Sequence, residues 1–256
     1  MTESKTLYAL LTSAIIKNFT KLRQGLDLCP ENIIFDVIYE VFQRDRIGLL
    51  SSELSHFPTF SKLLKIGDKR ACLHKMLQAA AEMNKNIPEI ISQAYYNEVH
   101  KLLTKLCSTN FNHLTVSNTC KTLELGFNLG GFLCEAGWYP AGTTVHRACV
   151  NILRQLKQNE PNYTFVKLEC LAKLLHSLSS YCQFTEATAI YRELVNYVHE
   201  KKITSDNYPN LASIYNEFSS HHFVKSNYHE AYTSALEAVK LLTPNIPPKL
   251  TIDVLR

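Results

Sequence analysis

Leu129-Gly130-Gly131-Phe132-Leu133, followed by Gly137, Tyr139, Gly142, His146 and Cys149, reads as two helices folded back on one another around the Gly137–Pro140 break. Gly142 comes twelve positions after Gly130. That offset brings the two helices to the same level of an antiparallel pair, where only small side chains let the backbones approach. The pattern returns twice, more weakly. Leu174-Leu175-x-x-Leu178 is followed by Phe184, Ala187, Tyr191 and Leu194, and Phe218-Ser219-x-x-His222 by Tyr228, Ala231, Ala235 and Ala238. Gly142, Ala187 and Ala231 stand 45 and then 44 residues apart.

Repeated helix pairs with a small residue at the crossing resemble the tetratricopeptide repeat, whose usual period is about 34 residues. The longer period here is similar to the extended units of kinesin light chains. A plain helical bundle with coincident spacing is the other reading. The remainder of the chain is also helical in pattern, with few glycines and almost no strand-like alternation. Helices are expected near 4–22, 30–46, 52–65, 68–84, 87–107, 117–136, 140–157, 162–181, 184–200, 208–224, 228–242 and 247–256. Breaks are expected at Gly25, Asp27–Pro30, Gly67-Asp68, Pro88, Asn110–Asn112, Gly137–Pro140, Asn159–Pro161, Pro209 and Pro244–Pro248, with Asp68 as a helix cap and Pro30, Pro88, Pro140 and Pro161 in first turns. The fold class is therefore all-α: a helical module over 1–50, connecting helices over 51–116, and an α-solenoid of tetratricopeptide-like pairs over 117–256. The last residues, Ile252 to Arg256, lie inside an amphipathic pattern without a polar cap, so a longer array or a covering chain is expected.

Composition narrows the function. The 256 residues are 46% hydrophobic and 20% charged, enough for a substantial core. The net charge of +4 is spread over single and paired cations such as Lys69-Arg70, without the basic block of a nucleic-acid binder. Eight cysteines form no C-x-x-C and no zinc-like pairing with histidine. Most sit in apolar helical runs, which points to a reducing compartment, cytoplasmic or nuclear. No transmembrane segment is expected, because no apolar run reaches about 18–20 residues.

The N-terminal stretch carries a second pattern. Leu7, Leu11, Ile15 and Phe19 fall at i, i+4, i+8 and i+12, and Leu10, Ala14 and Leu22 widen the stripe. Such a helix either fills its own core or lies in a partner's groove. It is followed by Cys29-Pro30-x-x-Ile33-x-x-x-Val37. The combination resembles the box of substrate receptors of cullin–RING ubiquitin ligases, in which a Leu-led helix enters elongin C and a Pro-led segment selects cullin-2. That resemblance implies elongin binding by Leu7, Leu11, Ile15 and Phe19, and cullin binding by Pro30, Ile33 and Val37.

The wider sequence is more specific. Leu28-Cys29-Pro30-Glu31-Asn32-Ile33-Ile34-Phe35-Asp36-Val37, the run Gly126 to Tyr139, and the run Phe223 to Tyr232 resemble the amyloid protein-binding protein 2 family, in the same order and from about Thr6 to Arg256. The resemblance implies a substrate-recognition subunit of a cullin-2 RING ligase, with elongins B and C and a RING subunit as partners. It also implies recognition of substrate C-terminal tails and of the amyloid precursor protein's cytoplasmic tail, and association with microtubules. A non-ligase adaptor for microtubule-linked transport is the alternative. On the first helices of the three pairs, Glu124, Asn128, Lys173, His176 and Asn216 are the expected substrate contacts.

Catalysis is not expected. His221, His222 and His229 lack a spaced carboxylate to complete a metal set, and neighbouring i, i+1 positions point to different helix faces. Gly126-x-x-x-Gly130-Gly131 has no following Lys-Ser/Thr and no preceding strand, so it is read as helix packing rather than a phosphate loop. No cofactor or metal is implied.

Overall fold

A computed structural model describes residues 14–15, 17–108, 113–156, 163–242 and 248–255. Among these residues every regular element is a helix. The chain divides into two compact units, Met1–Asn97 and Glu98–Arg256.

In the first unit, α1 (Phe19–Leu26) leads through a short turn into α2 (Glu31–Gln43). Pro30 holds the N-cap position with an extended ψ of 150°, and Glu31 places a carboxylate in the positive first turn. Ile34, Phe35, Val37, Ile38 and Val41 form the buried face of α2. It packs on α3 (Ile47–Ser55) and α4 (Phe57–Leu63), and α3 packs on α5 (Arg70–Met83). Leu50, Leu54, Phe60, Leu63, Leu73, Met76 and Leu77 fill the centre. The long α6 (Ile87–Ser108) follows, its first part in this unit and its residues from Glu98 onward in the second.

The expected helix over 52–65 is instead two helices. Pro58 has no N–H to continue α3, and its ring would strike the carbonyl four residues back, so the chain opens at His56 (φ −81°, ψ 101°) and restarts. Asp68 is not a cap. It lies inside a 3-10 turn, Gly67–Lys69, with Ile66 before it and no side-chain cap bond. Gly25 does not break α1, which runs on to Leu26.

In the second unit, α7 (His113–Glu135) pairs with α8 (Tyr139–Gln155), α9 (Tyr163–Ser180) with α10 (Phe184–Glu200), and α11 (Leu211–Val224) with α12 (Tyr228–Lys240). Between pairs, α9 packs on α7, α8 and α11. The last described helix, α13 (Pro248–Leu255), sets Val254 against Ala212 and Ala238, so it continues the stack on α11 and α12.

The three pairs turn by one hydrogen-bond pattern. The amides of Trp138, Gln183 and Asn227 donate to the carbonyls of Leu133, Leu178 and His222, five residues back. The amides just before them, on Gly137, Cys182 and Ser226, donate to Cys134, Ser179 and Phe223. This is the Schellman motif, which needs one residue in the left-handed region. Gly137 (φ 86°), Cys182 (φ 59°) and Ser226 (φ 62°) occupy it, spaced like the small residues. Asp45 ends α2 and Lys202 ends α10 in the same way. A non-glycine residue there carries roughly 1–2 kcal/mol of steric strain. Cys182→Gly and Ser226→Gly are therefore expected to raise stability by about 1 kcal/mol each. Urea unfolding measures this, and an unchanged or lower midpoint would show that the turns are not strained.

The twelve-residue offset has a direct physical basis. A Cβ added to Gly142 would lie 2.4 Å from Cys134 Sγ and 3.1 Å from the Gly130 carbonyl oxygen. One added to Gly130 would lie 2.3 Å from His146 Nε2. In the third pair, Ser219 Oγ donates to the Ala231 carbonyl at 2.9 Å. In the second, Leu175 and Ala187 are both fully buried.

Candidate functional site

Two surfaces carry the sequence-predicted residues, one in each unit. At the first, α1 is anchored by Arg23. Its guanidinium reaches Asp27 (2.8 Å), Glu53 (2.6 Å), Thr59 Oγ1 (2.9 Å) and His56 Nδ1 (3.0 Å). The Glu53 contact is a close ion pair rather than an aligned hydrogen bond. Burial lowers the Arg23 pKa, but the hydrogen bond to Asp27 and the close carboxylates of Glu53 and Asp27 outweigh it, and the net shift is upward. The Lys62 ammonium also donates to the Asp27 carbonyl. This ties the α1–α2 corner to α3 and α4.

Leu7 and Leu11 lie outside the described residues. Ile15 is half-buried, and Phe19 is buried in its own unit. Pro30 is exposed, Ile33 is half-buried, and Val37 is 1% exposed. The corner therefore shows Pro30 and the edge of Ile33 to solvent, while Val37 serves the interior. Sequence reasoning passed over Leu28, which is 88% exposed immediately before Cys29-Pro30. Leu28 stands at the corner of the anchored turn, clear of both apolar stripes. The signal available in sequence was its place between two helices, off either apolar stripe.

The second surface is built from the first helices of the pairs. Glu124 and Asn128 are exposed on α7, while Lys173, His176 and Asn216 are half-buried on α9 and α11. His176 Nδ1 lies 3.1 Å from Glu217 Oε2, which links α9 to α11 next to Asn216. The Glu217 hydrogen bond and charge raise the His176 pKa. Lys173 lies 3.7 Å from Glu169, one helical turn away. Glu169 also accepts from Tyr208 Oη at 3.4 Å, and Tyr208 stacks on Phe165. So the structure joins Lys173 and His176 in one polar strip with Glu169 and Glu217, two members that sequence reasoning did not name, while Asn216 neighbours Glu217 only along the turn of α11. Glu217 adjoins Asn216 and could have been found only by knowing the turn of α11.

Beneath this strip, α9 holds its neighbours through two buried histidines. His146 on α8 is within 3.3 Å of Ser177 Oγ, and His221 on α11 within 2.9 Å of Ser179 Oγ. Both rings are 1% exposed, and Nε2 of each has no hydrogen-bond partner in the structure. Burial pushes His146 down to about 3, helped by Lys173 and His176. Burial likewise pushes His221 down to about 4, helped by Lys225 and His222.

A group with a depressed folded pKa stabilises fully above its unfolded value, here 6.5, and that contribution is lost as pH falls below it. Each buried histidine is expected to cost about 2 kcal/mol between pH 7 and pH 5. His176 works in the opposite sense, since its raised pKa favours the folded state at lower pH, but it is partly in water and screened. Urea unfolding at the two pH values tests the balance. His146→Asn should flatten the dependence, and an equally steep profile in that variant would contradict the assignment.

No three or more His, Cys, Asp or Glu among the described residues are grouped so as to hold a metal ion. No described helix is long and apolar enough to cross a membrane. Burial raises the Cys134 thiol to about 12, which leaves it an unreactive core group against Gly142.

No protein-family profile matches the chain. Two curated proteins, each named amyloid protein-binding protein 2, from Rattus norvegicus and Mus musculus, are 31% identical to it over 255 residues. The match covers 98% of this chain and 41% of each relative, so the chain spans about two fifths of their length.

Proposed function

Taking as premise that the chain is a relative of amyloid protein-binding protein 2 over the part it spans, we propose that it is a non-catalytic substrate-recognition subunit of a cullin-2 RING ubiquitin ligase. The N-terminal helices dock elongins B and C, and the corner at Leu28-Cys29-Pro30 meets cullin-2. The observation that carries the reading is the anchored corner that presents Leu28 and Pro30 to solvent while Val37 is interior. A docking loop needs that geometry, with a rigid base and an apolar tip.

The second-unit strip of Lys173 and His176, with Asn216 neighbouring Glu217, is the surface offered to substrate tails. Lys173 can pair a carboxylate, and Glu169 and Glu217 can pair a basic side chain. The chain does no bond chemistry. It holds a tail beside a ubiquitin-loaded enzyme and raises the effective concentration of acceptor lysines. The site of action is the cytoplasm and nucleus.

The relatives' name favours a second reading. A helical-repeat adaptor could carry the amyloid precursor protein's cytoplasmic tail along microtubules, and it would not need the N-terminal corner. Pull-down by cullin-2 with elongins present separates the two. Leu28→Asp with Pro30→Ala should remove cullin-2 and leave elongin C bound, whereas cullin-2 retained by that variant would remove the corner from the mechanism.

A further inference from the structure

A cavity of about 500 Å³ opens between the ends of α1 and α3, at the residue next to Leu28. It is lined by Arg23 and Asp27 from α1 and its cap, and by Ser52, Glu53, Ser55 and His56 from α3 and its cap. Every one of these side chains is polar. Small organic ligands are held by mostly apolar walls, so this lining suits a charged side chain instead.

The sign of that charge follows from what the lining has left to offer. Arg23 is committed to Asp27, Glu53, Thr59 and His56, which leaves little for an anion. A guanidinium only donates, so His56 accepts at Nδ1. Ser55 Oγ donates its proton to the Ser51 carbonyl at 2.7 Å, and its oxygen remains an acceptor. Two carboxylates face one guanidinium. Glu53 is 6% exposed, and its Oε2 has no aligned hydrogen bond although Arg23 Nε lies 2.6 Å away. The Asp27 side chain is 44% exposed, so its carboxylate is open to a second partner. The corner already holds one ammonium of the chain itself, that of Lys62 on the Asp27 carbonyl. No described group of three His, Cys, Asp or Glu could hold a metal ion here, so the cation is an organic one.

We propose that this cavity receives a lysine or arginine side chain of the partner that covers Leu28. The corner then reads two things at once, an apolar groove for Leu28 and a basic residue beside it for Asp27 and Glu53. The proposal rests on the receptor reading, in which cullin-2 is the partner at this corner. Charge complementarity selects a basic over an acidic side chain, and a carboxylate pairs with ammonium and guanidinium alike.

The test is the affinity of cullin-2 for the chain assembled with elongins B and C, measured by biolayer interferometry for charge changes at Ser52, an exposed position on the cavity wall. Ser52→Lys places a competing ammonium in the cavity and is expected to weaken binding about tenfold. Ser52→Glu, a long side chain of opposite sign, is expected to bind at least as tightly as the parent. Asp27→Asn should weaken binding about threefold, because Arg23 keeps Glu53, Thr59 and His56 and the corner stays anchored. Unfolding midpoints of the three variants should match the parent. Equal affinity of the two Ser52 variants, whether both unchanged or both weakened, would overturn the proposal. If Leu28→Asp with Pro30→Ala still removed cullin-2 in that case, the receptor reading would stand without it. A parent assembly that does not bind cullin-2 would remove the receptor reading and the proposal together.

Discussion

Gly142→Val is expected to lose about 3 kcal/mol of stability. The added side chain must enter a space where the first carbon would already lie 2.4 Å from Cys134 Sγ and 3.1 Å from the Gly130 carbonyl. Cys134 is buried and cannot swing out, and the Gly130 carbonyl belongs to α7 itself. Helix propensity works the other way, since replacing glycine inside a helix gains up to about 1 kcal/mol. The clash is the larger effect because backbone cannot yield by an ångström in a packed pair. Gly48 provides the contrast. A Cβ there meets nothing within 4 Å, so Gly48→Ala should be neutral or stabilising. Denaturant unfolding of both variants decides, with Cys134→Ala added to Gly142→Ala as a coupled pair. If Gly142→Val unfolds within about 0.5 kcal/mol of the parent, the close approach of α7 and α8 is not what sets the repeat.

The second large effect is on binding. Replacing Leu7 and Ile15 by glutamate should abolish elongin C binding while circular dichroism and the unfolding midpoint of the repeats stay unchanged. A groove that takes apolar side chains rejects two buried carboxylates by several kcal/mol, enough to remove detectable affinity. Phe19 is left alone because it is buried in its own unit, and its replacement would confound docking with folding. A well-folded double variant that still binds elongin C would end the docking assignment. Lost helicity would instead mean that the stripe serves the chain's own core.

The helix pairs were readable because the spacing of Gly130 with Gly142 and Ser219 with Ala231 is a backbone requirement, and backbone requirements leave a mark in residue size. The turns were readable where glycine stands, at Gly137. They were less so at Cys182 and Ser226, where the same left-handed conformation is imposed on residues that do not advertise it. Pro58 was a visible signal that an apolar run obscured, and the break at His56 follows from the missing N–H. The candidate surfaces were harder to read. Periodicity assigns a residue to an apolar face but does not say whether that face meets the chain's own core or a partner. Val37 and Leu28 are both apolar, one interior and one in water, and only the packing of α2 on α3 and α4 separates them. Glu217 joined His176 through a contact between residues 41 apart, which no local pattern encodes.

The most direct measurement is the mass of the complex formed when this chain is purified with elongins B and C, with and without cullin-2. A stoichiometric assembly that gains cullin-2, and that the Leu7 and Ile15 change dissolves, is the predicted result. A folded chain that elutes alone in both mixtures would contradict the receptor account.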